Sequence, residues 1–376
     1  MKNLFLLVIA TSTCVAVNSQ STRYYTDPQW TFKEAKDYFQ KEQYSLAYPL
    51  FKELQQALRE TDRINTTIDV QEINYYTTVC ALKQNEGRAE QQAESYIELE
   101  KNTARMQMMS YHLGEYYFRK QQFADAVQQY EQTNIVNLSN DEIADMKFHL
   151  GYSYFTLQRF NEAKPLFATI KSMKDDPNYL DANYYYGFLA FRDRQYSDAL
   201  ESFKIVENEK DYATVVPYYI AQIHYIQGQK EEAIAYVQNK LKSGANTQYY
   251  DLELKQLIGH AHFERKEYAM ALPYLRDYVA QSKKVRREDL YELSYSYYQA
   301  NELNKAIEGF KQLSGKDDSL SQHSMYLLGD AYLKTGQKTN ARNAFLFCAS
   351  NSSNATQKEI SRFQYAKLSY ELGYQD

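Results

Sequence analysis

The residues best suited to metal chemistry are His260, His262 and Glu264, in the second half of the chain. Imidazole and carboxylate groups are common zinc ligands. On a helix, His260 and Glu264 share one face because they are four residues apart, whereas His262 is rotated from His260 by about 200°. Three ligands therefore do not converge. We predict polar helix packing here, and no metal or other cofactor.

Catalytic signatures are missing from the rest of the sequence. There is no G-x-x-x-x-G-K-[ST] phosphate loop, no H-E-x-x-H zinc helix, no G-x-S-x-G nucleophile turn and no C-x-x-C pair. The acidic pairs 175–176 and 317–318 lie beside Pro or Ser, a composition typical of solvated turns. Cys80 and Cys348 suit positions that take a small apolar residue. We predict that the chain is not an enzyme.

Composition restricts the class of protein. The chain has 376 residues, of which 44% are hydrophobic and 24% charged, so it can bury a large core. Its formal net charge is −5, without the clustered basic excess of a nucleic-acid-binding protein. We therefore predict a folded protein that does not bind nucleic acid.

The N-terminus predicts export. Residues 1–19 have one charge, at Lys2, an apolar core and small residues at the end, which is typical of a secretory signal peptide cleaved after Ser19. Residues 20–26 would form a short N-terminal segment. We predict no lipid anchor at Cys14, because Thr11 and Thr13 replace residues that lipoprotein signals use. No later stretch is apolar enough to span a bilayer.

An internal repeat runs through the remaining chain. A small anchor residue recurs every 34 to 42 residues, at Ala35, Thr77, Gly114, Gly151, Gly187, Ala221, Gly259, Ser294, Gly329 and Ala366. Twelve residues after each of the first nine anchors the residue is alanine: Ala47, Ala89, Ala126, Ala163, Ala199, Ala233, Ala271, Ala306 and Ala341. Sixteen residues after the anchor the residue is apolar, often Phe. This regularity indicates one structural unit that is repeated along the chain.

Each repeat is predicted to be a helical hairpin. Apolar offsets of three and four give the helical period, and short polar breaks such as Gln121-Gln122 and Gln158-Arg159 mark turns. Two antiparallel helices approach closely only where their side chains are short, so we expect the anchor and the alanine to lie at the crossing. One hairpin cannot cover its own apolar surface, so neighbouring hairpins must stack into a solenoid.

The repeat resembles the tetratricopeptide repeat family over residues 27 to 376, as in Gly151, Tyr154, Ala163 and Phe167. The resemblance implies an all-α fold, an α-α superhelix of nine hairpins plus a tenth first helix. The sequence departs from the family pattern where the family carries Trp early in the first helix. The signal peptide, the tyrosine content and the repeat style also resemble large exported tetratricopeptide proteins of Bacteroidota. This implies a periplasmic or cell-envelope location in a Gram-negative bacterium.

In this family the first helices line a concave groove, and aromatic residues recur on that face here. The predicted groove residues are Tyr111, Arg119, Phe148, Tyr152, Phe155, Tyr184, Phe188, Phe191, Arg192, Tyr218, Tyr225, Tyr295 and Tyr298. Aromatic anchors with Arg are typical of interaction hot spots. The same aromatic residues would also serve to pack neighbouring first helices, and the sequence leaves this alternative open.

The sequence therefore predicts an exported scaffold that binds protein or peptide segments in an aromatic groove, as part of a cell-envelope assembly. One alternative is a carbohydrate-recognition module that stacks sugar rings on the groove aromatics. Another is an accessory region of a longer protein with a downstream functional domain, because the tenth repeat stops after its first helix and residues 361–370 are patterned like an interior helix.

Overall fold

A computed structural model describes residues 27–60, 68–242 and 249–374, which are helical with short connections and contain no strand. The first helices are α1 Pro28–Gln40, α3 Val70–Gln84, α5 Thr103–Arg119, α7 Asn140–Thr156, α9 Tyr179–Arg192, α11 Val216–Ile226, α13 Asp251–Glu264, α15 Arg287–Gln299, α17 Ser319–Lys334 and α19 Ala355–Glu371. The second helices are α2 Tyr44–Glu60, α4 Ala89–Leu99, α6 Phe123–Glu131, α8 Phe160–Ile170, α10 Tyr196–Val206, α12 Lys230–Lys242, α14 Tyr268–Gln281, α16 Leu303–Lys311 and α18 Lys338–Ser350. The predicted fold of nine hairpins and a tenth first helix is confirmed.

The predicted signal peptide at 1–19, the segment at 20–26 and Cys14 lie outside the described residues. In the described ranges, no helix combines the length and the apolar character needed to cross a membrane. Cys80 and Cys348 are both buried free thiols.

The described residues form two compact modules, an N-terminal module that ends at Ser153 and a C-terminal module that begins at Tyr154, within α7. In the C-terminal module, the two helices of a hairpin pack together and the second helix packs on the next first helix. Consecutive first helices from α11 to α19 also contact one another directly. These first helices therefore form one continuous side of the C-terminal module.

The helix ends follow from local sequence. Five first helices begin at a side-chain cap: Asp27, Asp69, Asn102, Asp318 and Asn354 each accept a hydrogen bond from a backbone N–H of the first turn. Ser139 and Glu142 form a reciprocal capping box at α7. Second helices start directly after the hairpin turn, so the turn itself sets their first residue.

The repeated alanine is buried in every hairpin. All nine alanines are at most 1% exposed. The residues sixteen after the anchor are buried as well: Phe51, Ala93, Tyr130, Phe167, Phe203, Val237, Leu275, Phe310 and Phe345. The apolar core of each hairpin is therefore built on these two positions, as the repeat predicts.

The anchor glycines make room for the residue sixteen positions later. A Cβ atom added to Gly329 would lie 2.7 Å from the ring of Phe345, and one added to Gly114 would lie 2.8 Å from the ring of Tyr130. The eighth hairpin reverses the arrangement, because a Cβ on Gly309 of the second helix would clash with the anchor Ser294. The closest approach between the helices thus joins a small residue to a large one.

We expect Gly329→Ala to destabilise the C-terminal module by about 1–2 kcal/mol, because overpacking of the Phe345 ring outweighs the better helix propensity of alanine. Chemical denaturation followed by circular dichroism measures this change. Gly87→Ala, in the turn before α4 of the N-terminal module, is a control for an uncrowded site, because nothing lies within 4 Å of a Cβ at Gly87. Equal stability of the Gly329 variant and wild type would contradict the close-approach role.

A left-handed residue ends the first helix of each repeat. Seven residues after the anchor, φ is positive at Glu42, Gln121, Gln158, Arg194, Gly228, Lys266, Asn301, Gly336 and Gly373. The next backbone N–H then bonds back to a carbonyl in the last turn, as from Glu267 to His262 at 2.9 Å. This is a Schellman helix end, which normally favours glycine at the left-handed position. The predicted turns at Gln121-Gln122 and Gln158-Arg159 are confirmed.

Lys266→Gly is expected to stabilise the C-terminal module by about 0.5–1 kcal/mol, because glycine adopts φ of +63° without the Cβ penalty that lysine carries there. A thermal unfolding midpoint above that of wild type would show this. The converse control is Gly228→Ala, which places a Cβ at the equivalent residue with φ of +80° and should lower stability. A destabilised Lys266 variant would contradict the assignment.

The second hairpin departs from the predicted register. Its left-handed residue is Asn85, and the tyrosine that stacks on Phe51 of the preceding hairpin is Tyr76. In the fifth and sixth hairpins the tyrosine that makes this stack lies two residues before the anchor. Both markers place the anchor at Thr78, so the assignment to Thr77 is wrong by one residue. Arg88 is also left-handed, which absorbs the shift before Ala89.

Candidate partner-binding surface

Two of the predicted groove residues are buried. Tyr111 is 4% exposed and Phe148 is 6% exposed, so both contribute to packing and neither offers a ring to a partner. In the same module, the Arg119 guanidinium donates to the carbonyl oxygen of Leu82 at 2.9 Å. Arg119 therefore closes the C-terminal end of α3, a role that sequence reasoning missed.

Tyr152 is half-buried in the N-terminal module. Its ring centroid lies 5.8 Å from that of Phe118, 5.6 Å from that of Phe123 and 6.5 Å from that of Phe148. The ring therefore packs against both helices of the preceding hairpin and against Phe148 of its own helix, and only its remaining surface is open to a partner.

The predicted aromatic residues of α9 also pack against aromatic side chains outside that helix. Phe188 contacts Phe155 at a centroid distance of 5.6 Å, and Phe191 contacts Tyr219 at 5.3 Å. Tyr184 is stacked on Tyr212 at 4.5 Å, and the Arg192 guanidinium lies 4.3 Å from the centroid of Phe160. Phe188 and Phe191 thus pack between first helices, which is the alternative that the sequence left open, while Tyr184 and Arg192 contact a connecting segment and the second helix α8.

Predicted aromatic residues on α15 are also engaged in packing. Tyr295 contacts Phe263 and Tyr268 at 5.7 and 5.2 Å. The Tyr298 hydroxyl donates to Asp330, and Lys334 lies over its ring at 4.4 Å. Both tyrosines are half-buried, so each combines a structural contact with an accessible edge.

The remaining predicted residues, Tyr218 and Tyr225 of α11, line a pocket of about 220 Å³ on the first-helix side of the C-terminal module. The opposite wall comes from Glu253, Gln256 and His260 of α13. Small-molecule sites are usually about 300–1,000 Å³, so this volume suits one side chain better than a cofactor. The pocket combines aromatic and carboxylate groups on two neighbouring first helices.

The electrostatics of this pocket centre on His260. Its Nδ1 lies 2.6 Å from Glu292 Oε1, and its Nε2 lies 3.8 Å from Glu264 Oε1. The hydrogen bond to Glu292 raises the pKa of His260, against the opposing effect of burial. Burial opposes ionisation of Glu264, but hydrogen bonds from Tyr225 and Lys230 outweigh it and lower the pKa. Glu264 is thus held as a carboxylate at the pocket edge.

The same polar arrangement occurs in the N-terminal module with the charges exchanged. Glu115, one residue after its anchor, lies 2.8 Å from Nδ1 of His149, two residues before the next anchor. His260 and Glu292 occupy these same two repeat positions. The position after the anchor is therefore bound to the next first helix in both cases. The sequence showed that this position varies, but a pair separated by more than thirty residues gave no recognisable pattern.

His262 engages a different carboxylate from His260. Its Nδ1 lies 2.7 Å from Glu267, next to the hairpin turn, and its ring is stacked with Tyr274. Within the described ranges, no cluster of three His, Cys, Asp or Glu side chains is arranged to hold a metal ion.

A larger opening of about 850 Å³ lies between α2, α3 and α4. Its lining is mostly amide and hydroxyl groups, and Gln55 donates to Asn74 across it at 2.7 Å. Its lining also includes Lys52 and Glu53 but only one aromatic residue, Tyr96, whereas two tyrosines line the pocket between α11 and α13.

Comparison with known proteins matches residues 291–346 to the family described as tetratricopeptide repeat. No curated protein matches the chain. Similar solved structures include the C-terminal part of a TPR repeat-containing protein from Cytophaga hutchinsonii, with 13% identity over 69% of this chain and 95% of that one, and a TM-score of 0.41. A tetratricopeptide repeat protein from Parabacteroides merdae has 14% identity over 80% and 98%, with a TM-score of 0.38.

YrrB, described as a TPR protein with an unusual peptide-binding site, has 13% identity over 52% of this chain and 97% of its own, with a TM-score of 0.42. The assignment of the present chain rests on its own repeat and on the family match. The matched segment holds α16, α17 and most of α15 and α18, and the same buried alanine and left-handed turn recur in the earlier hairpins. Residues 291–346 therefore match the tetratricopeptide repeat family, and the described residues share the repeated helical-hairpin fold.

Proposed function

We propose that this protein is an exported scaffold that binds an extended protein segment along the first helices of its C-terminal module, within a cell-envelope assembly. Tetratricopeptide repeat proteins are in general interaction scaffolds without catalytic activity. The observation that carries the proposal is the pocket between α11 and α13, which opens on the face that the repeats align. Half-buried rings on α9 and α15 extend that face on both sides.

Photo-crosslinking tests where a bound segment lies. Random short peptides are selected on the full mature chain, and the enriched peptides are then crosslinked to chains carrying p-benzoylphenylalanine at one position. Phe188 on a first helix and Phe347 on a second helix are both half-buried phenylalanines, so they provide a matched pair. We expect crosslinks from position 188 and not from 347. The proposed function would be contradicted if crosslinks formed only from position 347, or if no peptide were selected.

Export is supported by the apolar N-terminal sequence, with small residues up to Ser19. We expect fractionation of the native host to recover the chain outside the cytoplasm with Gln20 as its first residue. Recovery from the cytoplasm with an uncleaved Met1 would contradict this part of the proposal without affecting peptide binding.

A further inference from the structure

Several hydrogen-bond donors of the pocket between α11 and α13 are already engaged within the protein. The Gln222 amide donates to the Tyr218 hydroxyl at 2.6 Å, and the Gln256 amide donates to Asp289 at 2.8 Å. The Arg286 guanidinium, at the mouth, donates to the same Asp289 carboxylate through Nε at 2.9 Å and Nη2 at 2.7 Å. These three side chains therefore direct donors at other groups of the protein.

Carboxylate oxygens without hydrogen-bond partners lie on the pocket wall and behind it. Glu253 is exposed on the pocket wall and forms no hydrogen bond or ion pair with any described residue. Behind His260, the Glu292 side chain is 9% exposed, and its Oε2 is buried without a hydrogen-bond partner. An unpartnered buried carboxylate oxygen is costly. Glu253 on the pocket wall therefore favours a ligand that carries hydrogen-bond donors, and Glu292 adds negative charge behind His260.

The charge balance favours a cation. The lining residues and their direct partners carry four carboxylates, at Glu253, Glu264, Asp289 and Glu292, against the fixed cations Arg286 and Lys230 and the imidazole of His260. Asp289 holds Arg286 through both of its carboxylate oxygens, so Arg286 does not neutralise Glu253. A bound cation would reduce the excess negative charge.

The aromatic wall suits the same guest. Tyr218 is fixed by stacking on Tyr250 at a centroid distance of 4.5 Å. Tyr225 already has a cation near its ring, because Lys230 Nζ lies 5.9 Å from the centroid. Tyrosine faces beside carboxylates are a combination that attracts ammonium and guanidinium groups.

We propose that the pocket between α11 and α13 holds the lysine or arginine side chain of a protein segment bound along the first helices. The inference rests on the proposed function and specifies its partner, a segment with a basic residue at this position. The basic group lies between the tyrosine wall and Glu253, and the backbone of the segment follows the first-helix face.

Two peptide libraries test this inference on the full mature chain. Both have a fixed central residue and flanks without Lys, Arg or His; the centre is lysine in one and N-acetyl-lysine, which has lost the charge, in the other. We expect the lysine peptides to bind about tenfold more tightly. Glu253→Gln should remove most of that preference, and Glu308→Gln, the same change on an exposed position of α16, should not.

The outcomes separate the two proposals. Equal affinity for lysine and acetyl-lysine peptides would overturn the cation pocket and leave the proposed scaffold standing. An equal loss of preference in the Glu253 and Glu308 variants would also overturn it, because the effect would then come from net charge alone. Failure of both libraries to bind would overturn the proposed function and the inference together. Circular dichroism of each variant checks whether the fold is unchanged.

Discussion

Replacing Phe203 with alanine is expected to destabilise the C-terminal module by about 3–5 kcal/mol, the cost typical of deleting a buried aromatic ring. Phe203 is fully buried, and its ring is stacked on Tyr219 of the next first helix at 5.3 Å. On its other side, Gly187 leaves only 3.0 Å between a hypothetical Cβ and that ring. The ring therefore joins both helices of one hairpin to the next hairpin, and its loss weakens two interfaces at once.

Long repeat arrays need not unfold in one step, so the destabilisation should be measured locally. Hydrogen exchange of the full chain, analysed peptide by peptide, does this. Exchange should increase across α9, α10 and α11 before it increases elsewhere. Phe203→Leu is the matched control, because Leu275 occupies the equivalent position opposite Gly259 in the seventh hairpin. A leucine variant as unstable as the alanine variant would show that the site requires an aromatic ring specifically.

The parts of the fold that could be predicted from sequence are those in which sterics dictate the residue type. Ala199 is required because only a small side chain fits the hairpin interior, and Phe203 is required because a large apolar group fills the space beside Gly187. Both requirements recur at fixed spacing. Their periodicity therefore predicts helix order, the hairpins and the buried positions.

The position of the hairpin turn could be predicted from its polar residues, but its left-handed geometry could not, because backbone hydrogen bonds hold it whatever the side chain. Arg194, Lys266 and Gly228 adopt the same left-handed conformation, at a cost of about 1–2 kcal/mol for the residues that are not glycine. The sequence at this position therefore varies too much to reveal the shared geometry. The misplaced anchor at Thr77 has the same origin, since the varied residue types at this position hid the left-handed role of Asn85, although asparagine tolerates that conformation.

The candidate site was only partly predictable because exposure depends on neighbours that lie far away in sequence. Tyr111 and Tyr218 occupy the same repeat position, yet Tyr111 is buried and Tyr218 lines a pocket. Glu253 was not singled out by any motif, and its significance comes from the absence of a partner among the described residues around a cavity. Such a property appears only when both walls of the cavity are in place.

Acidification from about pH 7 to about pH 5 is expected to destabilise the N-terminal module by about 2 kcal/mol through one histidine. His112 is buried, with its ring nitrogen Nε2 3.0 Å from the Tyr75 hydroxyl and its Nδ1 without a partner. Burial, reinforced by the nearby Lys83 charge, lowers the pKa of His112 to about 3. The folded state thus keeps this imidazole neutral well below the pH at which an unfolded histidine becomes charged.

The direction in which stability changes with pH follows from that difference in pKa. Above the unfolded value of 6.5 the imidazole is neutral in both states, so it gives no pH dependence. Below it, the unfolded state gains a proton that the folded state does not take up until about pH 3, so stability falls throughout this interval. The buried carboxylate of Glu115 affects stability only at lower pH. Its pKa is reduced from 4.5, so the stability that it contributes is lost only below that value.

Hydrogen exchange of the α5 peptides at a series of pH values, corrected for intrinsic exchange rates, measures how the stability of this helix changes with pH. We compare this slope between wild type and His112→Gln. Glutamine keeps a polar partner for Tyr75 but has no proton to gain, so the slope between pH 6.5 and pH 5 should disappear even if the variant is less stable overall. Because the comparison uses the slope and not the absolute stability, a simple packing defect cannot produce the expected result. An unchanged slope in the variant would assign the acid sensitivity of this module to other groups.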